Sequence, residues 1–242
     1  MKITLSLLAL CLFLTACNPK DVTDSCDKTA QAEDTEGNTV TECPVPTPGG
    51  DDTTPDDDDD VVVTPPDDSV GPNVPAKAAL FNSSVSFTNF GSADIDKVQQ
   101  ALSFIQKIVR TTEFRDRVLN HTYQGVKQFV DNNGLTNEQI YEKFLDGKET
   151  LLPVIDNQMD LQLELYANYS TSTVGYTYAN TTRIWMNRKY FDVYDPEEVA
   201  RNVFHEWTHK LGFGHDSSAT ARRPYSVPYA VGKIIQDLAY EL

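Results

Sequence analysis

The chain changes character near residue 75, and that break decides which part of it can fold. From Cys17 to about Pro75 the residues are mostly Thr, Pro, Asp and Gly with few large apolar side chains, as in "PVPTPGGDDTTPDDDDDVVVTPPDDSVGP". Such a segment buries too little surface to offset its ordering entropy. Residues 17–75 therefore read as a disordered acidic tether, stiffened by proline and by repulsion between like charges. An ideal flexible chain of that length spans roughly 40 Å, and this one reaches further. The net charge of −16 belongs mainly to the first 75 residues, which carry 3 of the 20 basic and 16 of the 36 acidic residues. That balance argues against nucleic acid or an anionic membrane face as the tether's partner. The "DDDDD" run lacks the glycine turn and spaced ligands of a calcium loop.

Ahead of the tether, Lys2 is followed by an apolar run from Ile3 to Leu14 and by "LTAC" ending at Cys17. The run is short for a bilayer span and has the form of an export signal. "LTAC" resembles the lipobox of bacterial lipoproteins. The resemblance implies a signal peptide at residues 1–16, lipidation of Cys17 as the mature N-terminus, and a membrane anchor. Asn18 is not the aspartate associated with inner-membrane retention in some bacteria, so the expected location is the cell envelope at the outer membrane, on its periplasmic or surface side. Cys26 and Cys43 are the cysteines left over, and a disulfide between them suits an exported chain. No cysteine follows residue 43, so the folded part must rest on its own core.

Residues 76–242 suffice for one domain, expected to be monomeric. "SVSFTNF" reads as a strand, and Ile95, Val98, Leu102, Ile105 and Val109 then recur at helical spacing. A second helix starts near Thr136. "MDLQLEL" alternates with period two, and "TVGYTYANTTRIWMNRKYF" reads as two strands joined by an Ala-Asn-Thr-Thr turn. Helices, strands and helices in that order imply an α/β domain (α+β in its segregation) with a small mixed sheet.

"DPEEVARNVFHEWTHK" opens with Asp195 as N-cap, Pro196 at the first position and Glu198 where a capping box places an acid. Over a helix running to about Leu211, the stripe Val199, Val203, Trp207 and Leu211 packs, while His205 and His209 face the other way. One turn apart, both can reach one metal ion, with Glu206 beside them. Gly212 permits a positive φ that ends the helix and turns the chain back, so that His215 can supply a third neutral ligand. Three protein ligands leave one tetrahedral position open, as at catalytic zinc.

The pattern H-E-x-x-H-x-x-G-x-x-H, carried by His205, Glu206, His209, Gly212 and His215, resembles that of the metzincin clan of zinc endopeptidases. Asp216 after it is similar to one branch, the adamalysins. With 4 His and 12 Gly in 242 residues, the pattern arises by chance with probability on the order of 10⁻⁶. The resemblance implies Zn²⁺ as cofactor, Glu206 as general base, and a protein or peptide as substrate. It also implies a mostly parallel sheet with one antiparallel edge strand above an active-site helix, and a short C-terminal helical subdomain. Gly175, Tyr176, Thr177 and Tyr178 would then form the edge strand that binds substrate. The alternative is an ordinary hairpin with its aromatics packed on the core.

Members of the clan place a methionine turn beneath the zinc, but no methionine follows Met186 here. The equivalent stretch is "RPYSVPYAVG", with Val227 or Pro228 as the apolar floor. A tyrosine two residues past that methionine approaches the zinc in some members. Aligning Val227 with the methionine puts Tyr229 there, with Tyr225 as competitor and simple packing as a third possibility. His121 has no motif around it and reads as a surface or helix-end residue. Three functions stay open: a lipid-anchored zinc endopeptidase, an inactive zinc-containing lipoprotein that captures peptides along its edge strand, and a hydrolase of peptidoglycan cross-links.

Overall fold

The computed structural model describes residues 74–242, with the backbone of short strands at 32–33, 39–40 and 61–63. The expected signal peptide, the lipidation at Cys17 and the Cys26–Cys43 pair lie outside the described residues. Among those residues, no helix is long and apolar enough to cross a membrane.

The domain is a mixed α/β structure. A short 3-10 turn, Ala76–Leu80, leads into β1 (Asn82–Thr88), followed by helices α1 (Ser92–Val109), α2 (Thr112–Leu119) and α3 (Asn137–Asp146). Strands β2 (Gln158–Tyr166), β3 (Gly175–Thr177) and β4 (Arg183–Asn187) come next, then α4 (Arg188–Phe191), α5 (Pro196–Lys210) and α6 (Val227–Ala239). The sheet order is β1-β2-β4-β3, with β1, β2 and β4 parallel and β3 antiparallel at one edge. At the other edge Val61–Val63, within the stretch read as tether, pairs antiparallel with Ser83–Val85.

The period-two pattern does what it predicts. Met159, Leu161, Leu163 and Leu165 of β2 are buried on the face that also holds Val85, Ile184 and Met186. The one polar intruder on that face of β1, Ser83, is satisfied by Gln106 of α1, whose Nε2 donates to Ser83 Oγ at 2.8 Å. On the opposite face Tyr176 stacks on Trp185, 5.0 Å between centroids, with Tyr166 and Tyr178 set edge-on around the pair. The hairpin aromatics thus pack on the outer side of the sheet, away from the core.

Beneath the sheet, the packed face of α5 meets a group of aromatic rings: Trp207 lies against Phe81, Phe144 and Phe204. The stripe read from the sequence, Val199, Val203, Trp207 and Leu211, is buried throughout. The last helix belongs to this same core, for Val227, Val231 and Ile235 are fully buried with α6 laid against α5. Helix α2 has no counterpart in the sequence reading. It carries only two buried apolar residues, Phe114 and Val118, and starts two residues after α1 ends, at the N-cap Thr111.

Helix α3 ends at Gly147, in the left-handed region at φ 66°. A Cβ there would stand 2.3 Å from the Gln158 carbonyl oxygen and 2.5 Å from its nitrogen. Gly147→Ala therefore combines a left-handed penalty with a backbone clash, an expected loss of about 3 kcal/mol. Urea unfolding is expected to show a lower midpoint at unchanged slope; an unchanged midpoint would contradict this reading.

Candidate metal centre

The site is built on the last two turns of α5. Its start is a reciprocal capping box: Glu198 N–H donates to Asp195 Oδ1 at 2.8 Å and Asp195 N–H to Glu198 Oε2 at 3.2 Å. Its end is a Schellman turn, in which Gly212 N–H donates to the His209 carbonyl and Phe213 N–H to that of Thr208, with Gly212 at φ 90°. Gly212 thus ends the helix and turns the chain back.

The turn also orients a ligand. His209 Nδ1 lies 2.8 Å from the Phe213 carbonyl oxygen, and His215 Nδ1 lies 3.0 Å from that of Asp216. A carbonyl only accepts, so each Nδ1 carries the proton and Nε2 keeps its lone pair, which is the ligating tautomer. One ligand atom from each of His205, His209 and His215 falls within 4.8 Å of the others. A tetrahedral zinc with bonds near 2.05 Å needs nitrogens roughly 3.4 Å apart, so small side-chain movements suffice. The donor set fits a metal ion. Burial, with the positive neighbours adding to it, holds His205 well below the ordinary imidazole range and pulls His209 down to about 4. Both rings are therefore neutral, as ligands must be.

Glu206 is buried, 4% exposed, next to His205 in the helix. The Tyr229 ring lies 4.6 Å from that of His205 and 4.8 Å from that of His215. Tyr225 packs elsewhere, against Tyr123 and His121. His121, just past the end of α2, is half-buried and stacked on Phe129 at 4.1 Å. Val227 and Pro228 are buried as the first residues of α6, so the stretch aligned with the methionine turn is a helix start. Two features there escaped the sequence reading. Gly232 lets α6 approach α5, since a Cβ would lie 3.1 Å from the Arg201 carbonyl oxygen and 3.4 Å from His205 Cβ. Arg223, nearly buried, places its guanidinium 4.6 Å from the Tyr229 ring centroid. A glycine within an otherwise apolar helix was the available sign of the first; nothing in the local sequence marks the second.

Edge strand β3 is fastened to α5 at both ends. Gly175 approaches so closely that a Cβ would lie 2.9 Å from the Asn202 side chain. At the other end Lys210, buried, donates to Thr177 Oγ1, to the Thr181 carbonyl at 2.6 Å and to that of Arg183 at 3.1 Å. Burial lowers its ammonium to about 8. Tyr176 and Tyr178 point to the outer aromatic cluster described above.

Comparison with protein-family models, curated proteins and solved structures gave no match.

Behind the site, buried Glu149 accepts from Trp207 Nε1 at 2.6 Å and from Asp160 N–H at 3.2 Å through one oxygen, while its second oxygen has no hydrogen-bond partner among the described residues. Burial raises its carboxyl to about 7 from the ordinary 4.5. The fold thus favours the neutral acid, a contribution present below about pH 4.5 and lost as pH rises through about 7. Relative to Glu149→Gln, the parent is expected to lose stability on the order of 3 kcal/mol between those limits. Parallel stability curves for the two proteins from pH 4 to 8 would contradict this.

Proposed function

We propose that the chain is a zinc-dependent endopeptidase that hydrolyses peptide bonds of extracytoplasmic proteins, anchored to the cell envelope through lipidated Cys17. The observation that carries the reading is the convergence of three imidazoles on one point with Glu206 beside them in sequence. Three neutral imidazoles suit zinc and leave a coordination position for chemistry. When bound, the metal would polarise the scissile carbonyl and lower the pKa of a water molecule.

The chain's own residues account for the remaining steps. Glu206 takes the proton from the attacking water and passes it to the leaving amine. Tyr229, at the flank of His205 and His215, donates to the developing oxyanion. An extended peptide adds to β3, whose outer edge has no strand paired to it among the described residues. A capture protein without catalysis would need the imidazoles but not Glu206, which is why the variant of that residue decides between the two.

The full chain, loaded with zinc, is expected to cut a diverse peptide mixture read by mass spectrometry. Glu206→Gln should retain zinc and lose cleavage by about 10²–10⁴-fold, and His209→Ala should lose both. A Glu206→Gln chain as active as the parent would sink the mechanism, and a parent that binds zinc and peptides without cutting them would favour the capture protein.

A further inference from the structure

At the C-terminal end of α5 the structure contains a second feature, a cavity of about 110 Å³ that shares one wall with the metal centre. Its lining is mainly apolar and comes from three places: His209 and Gly212 at the helix end, Leu151 and Leu152 ahead of β2, and Ala179 and Thr181 in the β3–β4 connection. The charged groups that also border it are engaged within the protein. Lys210 is held by the Thr181 and Arg183 carbonyls, Asp160 accepts from Gln158 at 2.8 Å, and Glu149 accepts from Trp207 through one oxygen while its second, which has no partner among the described residues, is shut away from solvent. Recognition at this place therefore falls to carbon.

Size narrows the occupant. An apolar cavity of about 150 Å³ holds a benzene molecule, so one of this size takes a single aliphatic group rather than a whole ligand. Leu151 and Leu152 are 45% and 40% exposed, and Val154 and Ile155 beyond them 60% and 63%, so an apolar surface continues outward from the cavity. Contiguous exposed apolar surface of this kind marks a place of contact.

Direction follows from how β3 lies on α5. Gly175 is against Asn202 and Thr177 against Lys210, so strand and helix run the same way with His205 and His209 between those two contacts. A peptide that adds antiparallel to β3, the more stable pairing per residue, has its reacting bond between the two ends. Its amino-terminal residues then lie at the β3–β4 connection, where the cavity is.

We propose that this cavity is a subsite for an aliphatic side chain on the amino-terminal side of the bond to be cut. The proposal rests on the endopeptidase reading and gives it a substrate class: extended peptides with a Val- or Leu-sized residue upstream of the cleavage point.

The test uses the full zinc-loaded chain and a peptide set in which each position around one cleavable bond is varied among Gly, Asp, Val and Leu. Binding of the same peptides to the Glu206→Gln chain is measured by calorimetry, so the preference is read whether or not the bond is cut. One upstream position should favour Val or Leu over Gly by about tenfold or more. Ala179→Trp, which fills the cavity from an exposed position, and Leu151→Asp, which makes its border polar, should each erase that preference while cleavage of the Gly peptide persists. Cutting without an upstream aliphatic preference, a preference found only downstream of the bond, or variants that keep the parent's profile would overturn the subsite and leave the peptidase standing. A chain that neither cuts nor binds any peptide of the set would overturn both.

Discussion

The rotation of α5 about its own axis is the constraint on which the rest depends. Trp207 is enclosed by Phe81, Phe144 and Phe204, and its indole N–H is held by Glu149. With that side chain buried, the helix cannot turn without exposing it, a loss of several kcal/mol. Fixing Trp207 on one side fixes His205 and His209 on the other, because two and four residues correspond to set angles on a helix. The clustering of the imidazoles is in this sense a consequence of core packing. The Schellman turn at Gly212 then does for His215 what the helix does for its partners, and its Phe213 carbonyl selects the tautomer of His209.

Much of this was legible in the chain because it depends on local rules. The helix start at Asp195, the stripe from Val199 to Leu211, the alternation from Met159 to Leu165 and the turn at Gly212 each follow from spacing or from a residue's conformational freedom. What escaped depends on contacts between distant segments. Lys210 reads as an ordinary basic residue at a helix C-terminus, yet it is buried and ties the β3–β4 connection to α5 across some thirty positions of sequence. Glu149 reads as a loop acid, and only the fold brings it 58 positions along the chain to Trp207. Tyr176 and Tyr178 read as part of a substrate-binding edge or as aromatics packed on the core; they pack instead on the outer face with Trp185, which alternates with the buried Ile184 and Met186.

The stretch in place of a methionine turn shows the same division. A floor of small apolar residues was expected, and Val227 and Pro228 are buried there. Their being the first turn of a long helix was not, and it changes how the site is supported. With α6 brought close by Gly232, Tyr229 reaches the imidazoles from a helix packed along α5, with Arg223 against its ring. A side chain on a packed helix is held more firmly than one on a loop, which suits the role proposed for Tyr229 at a developing charge.

The most direct test of the central claim is X-ray absorption spectroscopy at the zinc edge on the metal-loaded chain. The account predicts one zinc per chain with three imidazole nitrogens and one further light ligand at about 2.0–2.1 Å, and the loss of one imidazole in His215→Ala. Fewer than three imidazoles, or a closed set of four protein ligands, would contradict it.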